Sequence, residues 1–188
     1  MSKVTVVFGS PRKNSNTWIL VDQAIKGLNE HGIETEMFYL NDMNIKGCQS
    51  CYCCKKNDST KCLVNDDMQK IYKSMEESDG LIVGSPIYFC EVTAQTRLFI
   101  DRLFCYLDIN LKSYFPNGKK VGFIITQNLP NHEAFTTHIE SFKTVLYMLG
   151  YEKTGDLLVE DVNMGYKPLV TKNKVVMNKA YELGKNLL

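Results

Sequence analysis

The sequence predicts an α/β protein built on a doubly wound parallel sheet, and three observations carry that prediction. Apolar, β-branched runs recur along the chain, and the clearest breaks into a polar turn and then a segment of helical period. The inner runs, Leu81-Ile82-Val83 above all, are apolar on both faces, as a parallel strand covered by helices on both sides must be. Strand and helix patterns alternate throughout without repeats, low-complexity tracts or linkers, so residues 1–188 read as one domain.

The first run, Val4-Thr5-Val6-Val7-Phe8, breaks at Gly9 into a polar stretch that lasts to Thr17, and a helix follows from Trp18. Leu20, Val21, Ala24, Ile25 and Leu28 keep helical spacing until His31-Gly32 ends it. Ile33 to Leu40 alternates loosely, as a strand near a sheet edge does. Residues 41–65 show no period, and five of the seven cysteines fall there, which predicts an inserted cysteine-rich loop. Asp66-Asp67 caps a helix carrying Met68, Ile71, Tyr72 and Met75. Gly80 to Gly84 is a central strand, Ser85 to Phe89 a loop, and Val92 to Leu107 one long amphipathic helix. Lys119 to Thr126 is a buried strand, followed by the loop Gln127 to His132 and a helix ending at Gly150. Tyr151 to Glu160 reads as the last strand and Lys172 to Leu188 as the last helix. Five strands and five helices result.

An apolar fraction of 44%, a charged fraction of 23% and a net charge of +1 describe an ordinary soluble protein. Nothing in that balance recommends a nucleic acid or an anionic membrane as partner. No run reaches transmembrane length and no leader pattern precedes the first strand, so the expected compartment is the cytoplasm. Cysteines stay reduced there, and their clustering points to a metal or redox purpose.

In a doubly wound sheet, ligands bind beyond the carboxyl ends of the strands. Three loops meet that condition. The first supplies Ser10, Arg12, Ser15, Asn16 and Thr17 beside a helix N-terminus, whose free N–H groups and dipole suit a phosphate. It is neither a Walker A loop nor a dinucleotide fingerprint, since no Gly-Lys-Ser/Thr follows and Gly9 lacks glycine partners. A capped helix with a polar entry loop is its plainest alternative. The second loop supplies Pro86 and Tyr88, a stiff turn and an aromatic to border a planar ring, with Ile87 and Phe89 lining the same side. The third supplies Thr126, Gln127 and Asn128, donors and acceptors for a heterocycle edge. A phosphate pocket, a flat slot and polar edge groups together describe flavin mononucleotide (FMN).

At these residues the chain resembles the NAD(P)H-dependent FMN reductases of flavodoxin-like fold. Gly9-Ser10-Pro11-Arg12 through Asn16-Thr17 looks like their phosphate loop. Ser85-Pro86-Ile87-Tyr88 and Arg97-Leu98-Phe99-Ile100-Asp101-Arg102 resemble their second flavin loop and its helix. Leu149-Gly150-Tyr151 and Ala180 to Lys185 are similar to their closing strand and helix. The resemblance implies a five-stranded sheet of order 2-1-3-4-5 and FMN at the subunit interface of a homodimer or homotetramer. This chain departs from the family pattern at Ser15, where a glycine is frequent, and at Thr126 to Pro130, a loop that commonly contains glycine and here has none.

Cys48, Cys51, Cys54 and Cys62, spaced x2, x2 and x7, resemble the compact motif of the iron–sulfur flavoprotein subgroup. Four thiolates at short spacing can wrap a 4Fe–4S cluster or hold zinc, and a loop of bare thiols is the third reading. Cys53 is an extra thiol within the motif. Cys90 and Cys105 read as packing residues, and Arg97, Asp101 and Arg102 as an ion-paired helix face. None of His31, His132 and His138 has ligand spacing, and no catalytic side-chain constellation can be assembled.

The resulting expectation is an oxidoreductase passing electrons from NADH or NADPH through FMN to a flavin, quinone or protein acceptor. The rival is a non-enzymatic flavodoxin-like carrier, which would normally be strongly acidic. The apolar residues of Val92 to Leu107 exceed what one sheet face should cover, which predicts a homo-oligomer packed through that helix.

Overall fold

The computed structural model describes residues 1–56, 61–162 and 168–188. Residues 57–60 of the cysteine-rich stretch therefore lie outside the described residues. The strands are β1 (Lys3–Phe8), β2 (Glu34–Tyr39), β3 (Gly80–Tyr88), β4 (Glu91–Val92), β5 (Lys120–Thr126) and β6 (Glu152–Val159). The α-helices are α1 (Asn16–Glu30), α2 (Met68–Glu77), α3 (Ala94–Arg102), α4 (Thr136–Met148) and α5 (Lys174–Lys185). The sheet runs β2-β1-β3-β5-β6 with every neighbouring pair parallel. This is the expected flavodoxin-like order, shifted in numbering because the short β4 folds back antiparallel on β3. No helix among the described residues is long and apolar enough to cross a membrane.

Alternation along each strand feeds two separate cores. Val7, Leu81, Val83, Phe123 and Ile125 pack with α2, α3 and α4 on one face. Val6, Phe8, Ile82 and Ile124 pack with α1 and α5 on the other. Helices α1 and α5 touch backbone to backbone: a Cβ on Gly184 would fall 1.9 Å from the Ala24 carbonyl oxygen, and one on Gly27 2.2 Å from that of Tyr181.

Three local expectations are corrected. The segment read as the loop Ser85 to Phe89 continues β3 as far as Tyr88. Strand β1 leaves β3 after Gly84, so Pro86 sits where β3 has lost that neighbour and a missing N–H is tolerated. The long helix from Val92 is shorter: Thr93 caps α3 by accepting from the Thr96 N–H at 3.2 Å, and after Arg102 the chain tightens into a 3-10 turn. Arg102 does not lie on a solvent-facing ion-paired surface. Arg97 and Asp101 form that pair at 3.2 Å, whereas the Arg102 side chain is 1% exposed and bound to Asp66, also 1% exposed, at 2.6 Å.

The apolar residues of 92–107 are mostly covered within the chain. Phe99, Leu103, Tyr106 and Leu107 are buried, and Tyr106 meets Tyr72 and Phe115 edge-on. Of the large apolar side chains there, Leu98 and Phe104 remain half-exposed.

Candidate functional site

The carboxyl ends of β1, β3 and β5 and the first turn of α1 enclose a cavity of about 400 Å³. All twelve residues singled out for it in the sequence line it: Ser10, Arg12, Ser15, Asn16 and Thr17 at one end, Pro86, Ile87, Tyr88 and Phe89 along one wall, and Thr126, Gln127 and Asn128 opposite. Among the described residues Cys90, Leu129, Phe135 and Val162 also line it, and none of the cysteine loop does.

The phosphate-like end is built by local geometry. Gly9 is required by close approach, because a Cβ there would lie 1.8 Å from Thr96 Oγ1. The carbonyl of Gly9 accepts from Thr93 Oγ1 at 2.7 Å, and Thr96 Oγ1 donates to Ser85 Oγ at 3.1 Å. These buried hydroxyls tie the first loop to β3 and α3. Their only signal in the sequence was a capping threonine. Ser15 caps α1, its Oγ accepting from the Trp18 N–H at 3.2 Å. Ser10 Oγ accepts from the Arg12 N–H at 3.2 Å. Arg12 is exposed at the rim.

Two residues expected to present side chains to a phosphate are already engaged. Asn16 Nδ2 donates to the Val162 carbonyl at 2.9 Å, and its Oδ1 accepts from the N–H groups of Leu169 and Val170 at 2.8 and 3.1 Å. Its amide thus fastens the segment after β6, and what it offers the cavity is the backbone N–H of a helix start. Thr17 Oγ1 and Thr126 Oγ1 share a buried hydrogen bond of 2.7 Å, joining α1 to β5.

The second wall ends in a two-residue hairpin between Tyr88 and Glu91. Phe89 and Cys90 have φ of 49° and 75°, the left-handed pair that Asn-Gly normally supplies. Such residues cost on the order of 1–3 kcal/mol each, and strain of this kind gathers at functional sites. The turn holds Phe89 fully exposed at the cavity mouth. Cys90 is exposed beside it, which corrects its reading as a packing residue, whereas Cys105 is buried as expected.

The polar edge has spare acceptor capacity. Gln127 Nε2 donates to the carbonyls of Leu129 and Asn131 at 3.0 and 2.6 Å, which fixes the amide's orientation. Its Oε1, and Oδ1 of Asn128, are buried without a hydrogen-bond partner among the described residues. An unsatisfied buried acceptor costs about 1–3 kcal/mol, and an N–H-bearing ring edge is the kind of ligand group that relieves it. The donor end, the aromatic wall and the acceptor edge therefore fit FMN.

The cysteine loop lies against α3 and the turn after it. Arg102 Nη1 donates to the Lys46 carbonyl at 2.8 Å, while both Nη atoms reach the Asp66 carboxylate. Asp66 also accepts from the N–H groups of Lys46 and Met68 at 3.0 and 3.1 Å, so its carboxylate takes the first N–H of α2 while Asp67, at the N-cap position, makes no side-chain cap bond. Burial alone would raise the Asp66 carboxyl, yet the hydrogen bonds from Arg102 and Lys46 and the guanidinium charge hold it below its ordinary value. Gln69 grips the carbonyls of Cys62 and Val64 at 2.9 and 2.8 Å, and Lys55 Nζ donates to those of Phe104 and Leu107. Tyr52 packs edge-on to Phe104.

Cys48 and Cys51 are exposed, and Cys54 and Cys62 are half-buried against the core. Hydrogen bonds from the Cys53 backbone and thiol lower the Cys51 thiol, and the Cys51 thiol raises that of Cys53. Among the described residues no three Cys, His, Asp or Glu side chains gather as a group that could hold a metal. The loop in this arrangement therefore does not assemble the four thiolates. Of the histidines, His31 contacts the Gly27 carbonyl at a helix end, His132 pairs with Glu160, and His138 lies 3.7 Å from Glu91.

The model of the NADPH-dependent FMN reductase family matches residues 2–150. An iron–sulfur flavoprotein from Methanocaldococcus jannaschii is 44% identical over 100 residues, covering 53% of this chain and 51% of that protein. The chain thus spans about half the length of the curated relatives it matches at this level. An iron–sulfur flavoprotein from Archaeoglobus fulgidus is 27% identical over 198 residues, 99% of this chain and 94% of that protein. The NAD(P)H:quinone oxidoreductase from Methanothermobacter marburgensis superposes with a TM-score of 0.76 at 16% identity, covering 99% of this chain and 96% of that one, a likeness of fold. Matched along most of its length, the chain belongs to the NADPH-dependent FMN reductase family.

Proposed function

We propose that the protein is an FMN-dependent oxidoreductase that takes electrons from NAD(P)H and delivers them to a flavin, a quinone or a redox protein. One observation carries the reading: three loops distant in sequence meet round a single cavity with donors at one end, aromatics along a wall and spare acceptors at the far edge. Bound there, FMN would supply the hydride chemistry. The chain's own residues bind and orient. Ser10, Arg12, Ser15 and the N–H groups of Asn16 and Thr17 hold the phosphate. Pro86, Ile87, Tyr88 and Phe89 border the ring, and Gln127 and Asn128 meet its polar edge, with Thr126 bracing Thr17. No side chain is required as general acid or base. The test is NAD(P)H oxidation by FMN-loaded protein with free flavin or a quinone as acceptor. Turnover supports the enzyme, and its absence with tight FMN binding supports the flavodoxin-like carrier. Cofactor extracted as FAD overturns the assignment.

The cysteine loop is proposed to take an iron–sulfur cluster, supported by its x2, x2, x7 spacing and by the name of the relatives. Loading would require the loop to bring the exposed Cys48 and Cys51 to Cys54 and Cys62. A homo-oligomer is proposed as well. Its support is the apolar surface beside α3, where Ile109, Leu111, Tyr114 and Met148 are exposed and a groove of about 370 Å³ runs past Phe104 and Leu107.

A further inference from the structure

We infer that Tyr39 is a positioning residue for the phosphate of the bound flavin, its hydroxyl holding the Pro11–Arg12 peptide so that the Arg12 N–H faces the Ser10 and Ser15 hydroxyls. The inference rests on the FMN reading of the cavity. Tyr39 ends β2 directly beside Phe8 in the β1 register, outside the cavity lining. Its Oη donates to the Pro11 carbonyl at 2.7 Å. In a planar trans peptide the C=O and N–H point in opposite directions. A carbonyl drawn toward Tyr39 therefore sends the Arg12 N–H away from it. That N–H donates to Ser10 Oγ at 3.2 Å, and Ser15 Oγ lies 3.4 Å from the same oxygen. A flip of this one peptide would turn a carbonyl oxygen, in place of a donor, toward an anion.

The ring is held without help from the hydroxyl. It stacks on Phe8 at 5.4 Å and meets Trp18 edge-on at 6.0 Å, and these two residues flank the phosphate loop in sequence. Lys13 Nζ lies 4.8 Å from the ring centroid and pairs with Asp42 at 2.8 Å. The aromatic packing secures both ends of the loop, and the hydroxyl reaches its middle. Burial and the Asp42 charge push the phenol above its ordinary value, so it stays a donor at any neutral pH.

The experiment compares wild type with Tyr39→Phe, which keeps the ring and removes only the hydroxyl. Flavin-free protein is titrated with FMN and, separately, with riboflavin, which has the same ring and no phosphate. The FMN Kd should rise about two- to tenfold, the range for one neutral hydrogen bond, with the riboflavin Kd unchanged. The thermal midpoint of the flavin-free variant should fall by no more than about 6 °C, the cost of that one hydrogen bond with the packing kept. Equal weakening of both ligands, or of neither, overturns the inference and leaves the FMN reading standing. Wild-type protein that binds neither flavin overturns both.

Discussion

Asp66→Asn is the sharpest test of how the cysteine loop is held. The substitution removes the negative partner of a guanidinium that is 1% exposed, while the amide remains large enough to accept one of the two N–H groups. Breaking a buried pair on one side costs roughly 3–5 kcal/mol, because the remaining charge is stranded. The amide's residual acceptor puts the expected loss at the lower end, about 3 kcal/mol. For a chain of this size that corresponds to a fall of about 6–12 °C in thermal midpoint. It is a large part of a total stability of roughly 5–15 kcal/mol. Arg102→Gln should cost as much alone, and the double variant far less than the sum. The coupling should be at least about 1 kcal/mol. The pH dependence has a definite sign. The folded carboxyl sits below its unfolded value, so the stabilisation is complete above about pH 4 and disappears as pH falls through the folded value. Wild type should lose this component in acid, and the variant should lack it. Differential scanning calorimetry from pH 3 to 7 reads all of this, and the alkylation rates of Cys54 and Cys62 should rise in the variant at neutral pH. Additive substitutions, or a midpoint change under about 2 °C, would refute the reasoning.

Arg12→Ala should weaken FMN binding by about 1.5–3 kcal/mol, about 10- to 150-fold in Kd, with a smaller effect at high salt because Arg12 is exposed. Flavin fluorescence titration checks it, and an unchanged Kd rejects the phosphate role. Protein purified anaerobically should contain iron and acid-labile sulfide, lost on changing any one of Cys48, Cys51, Cys54 or Cys62 to Ser and kept on changing Cys53 or Cys90. Full FMN without sulfide would leave the loop as bare thiols. Sedimentation velocity at micromolar concentration should show an oligomer that Phe104→Glu dissociates, and wild type that is wholly monomeric rejects the interface.

What the sequence by itself determined is whatever depends on short-range periodicity. Two-faced apolarity in Leu81-Ile82-Val83 and Phe123-Ile124-Ile125 reports burial on both sides of a strand, and with it helices on both faces. Because ligands in such a sheet lie at the strands' carboxyl ends, position along the chain pointed to the three loops that supply twelve of the cavity's lining residues. Tertiary structure decided which groups are spent on one another. Asn16 looked like a phosphate ligand, but its amide partners lie 146, 153 and 154 residues away. Arg102 looked like a surface charge until Asp66, 36 residues earlier, met it inside the protein. Tyr39 read as an alternating strand residue, yet its hydroxyl crosses to the Pro11 carbonyl. The hairpin at Phe89-Cys90 carried no turn signal, since neither residue favours positive φ and only the pairing of Tyr88 with Glu91 imposes it. Periodicity records how much of a side chain is buried, whereas the partner of a polar group depends on atoms that only the fold brings within hydrogen-bond distance.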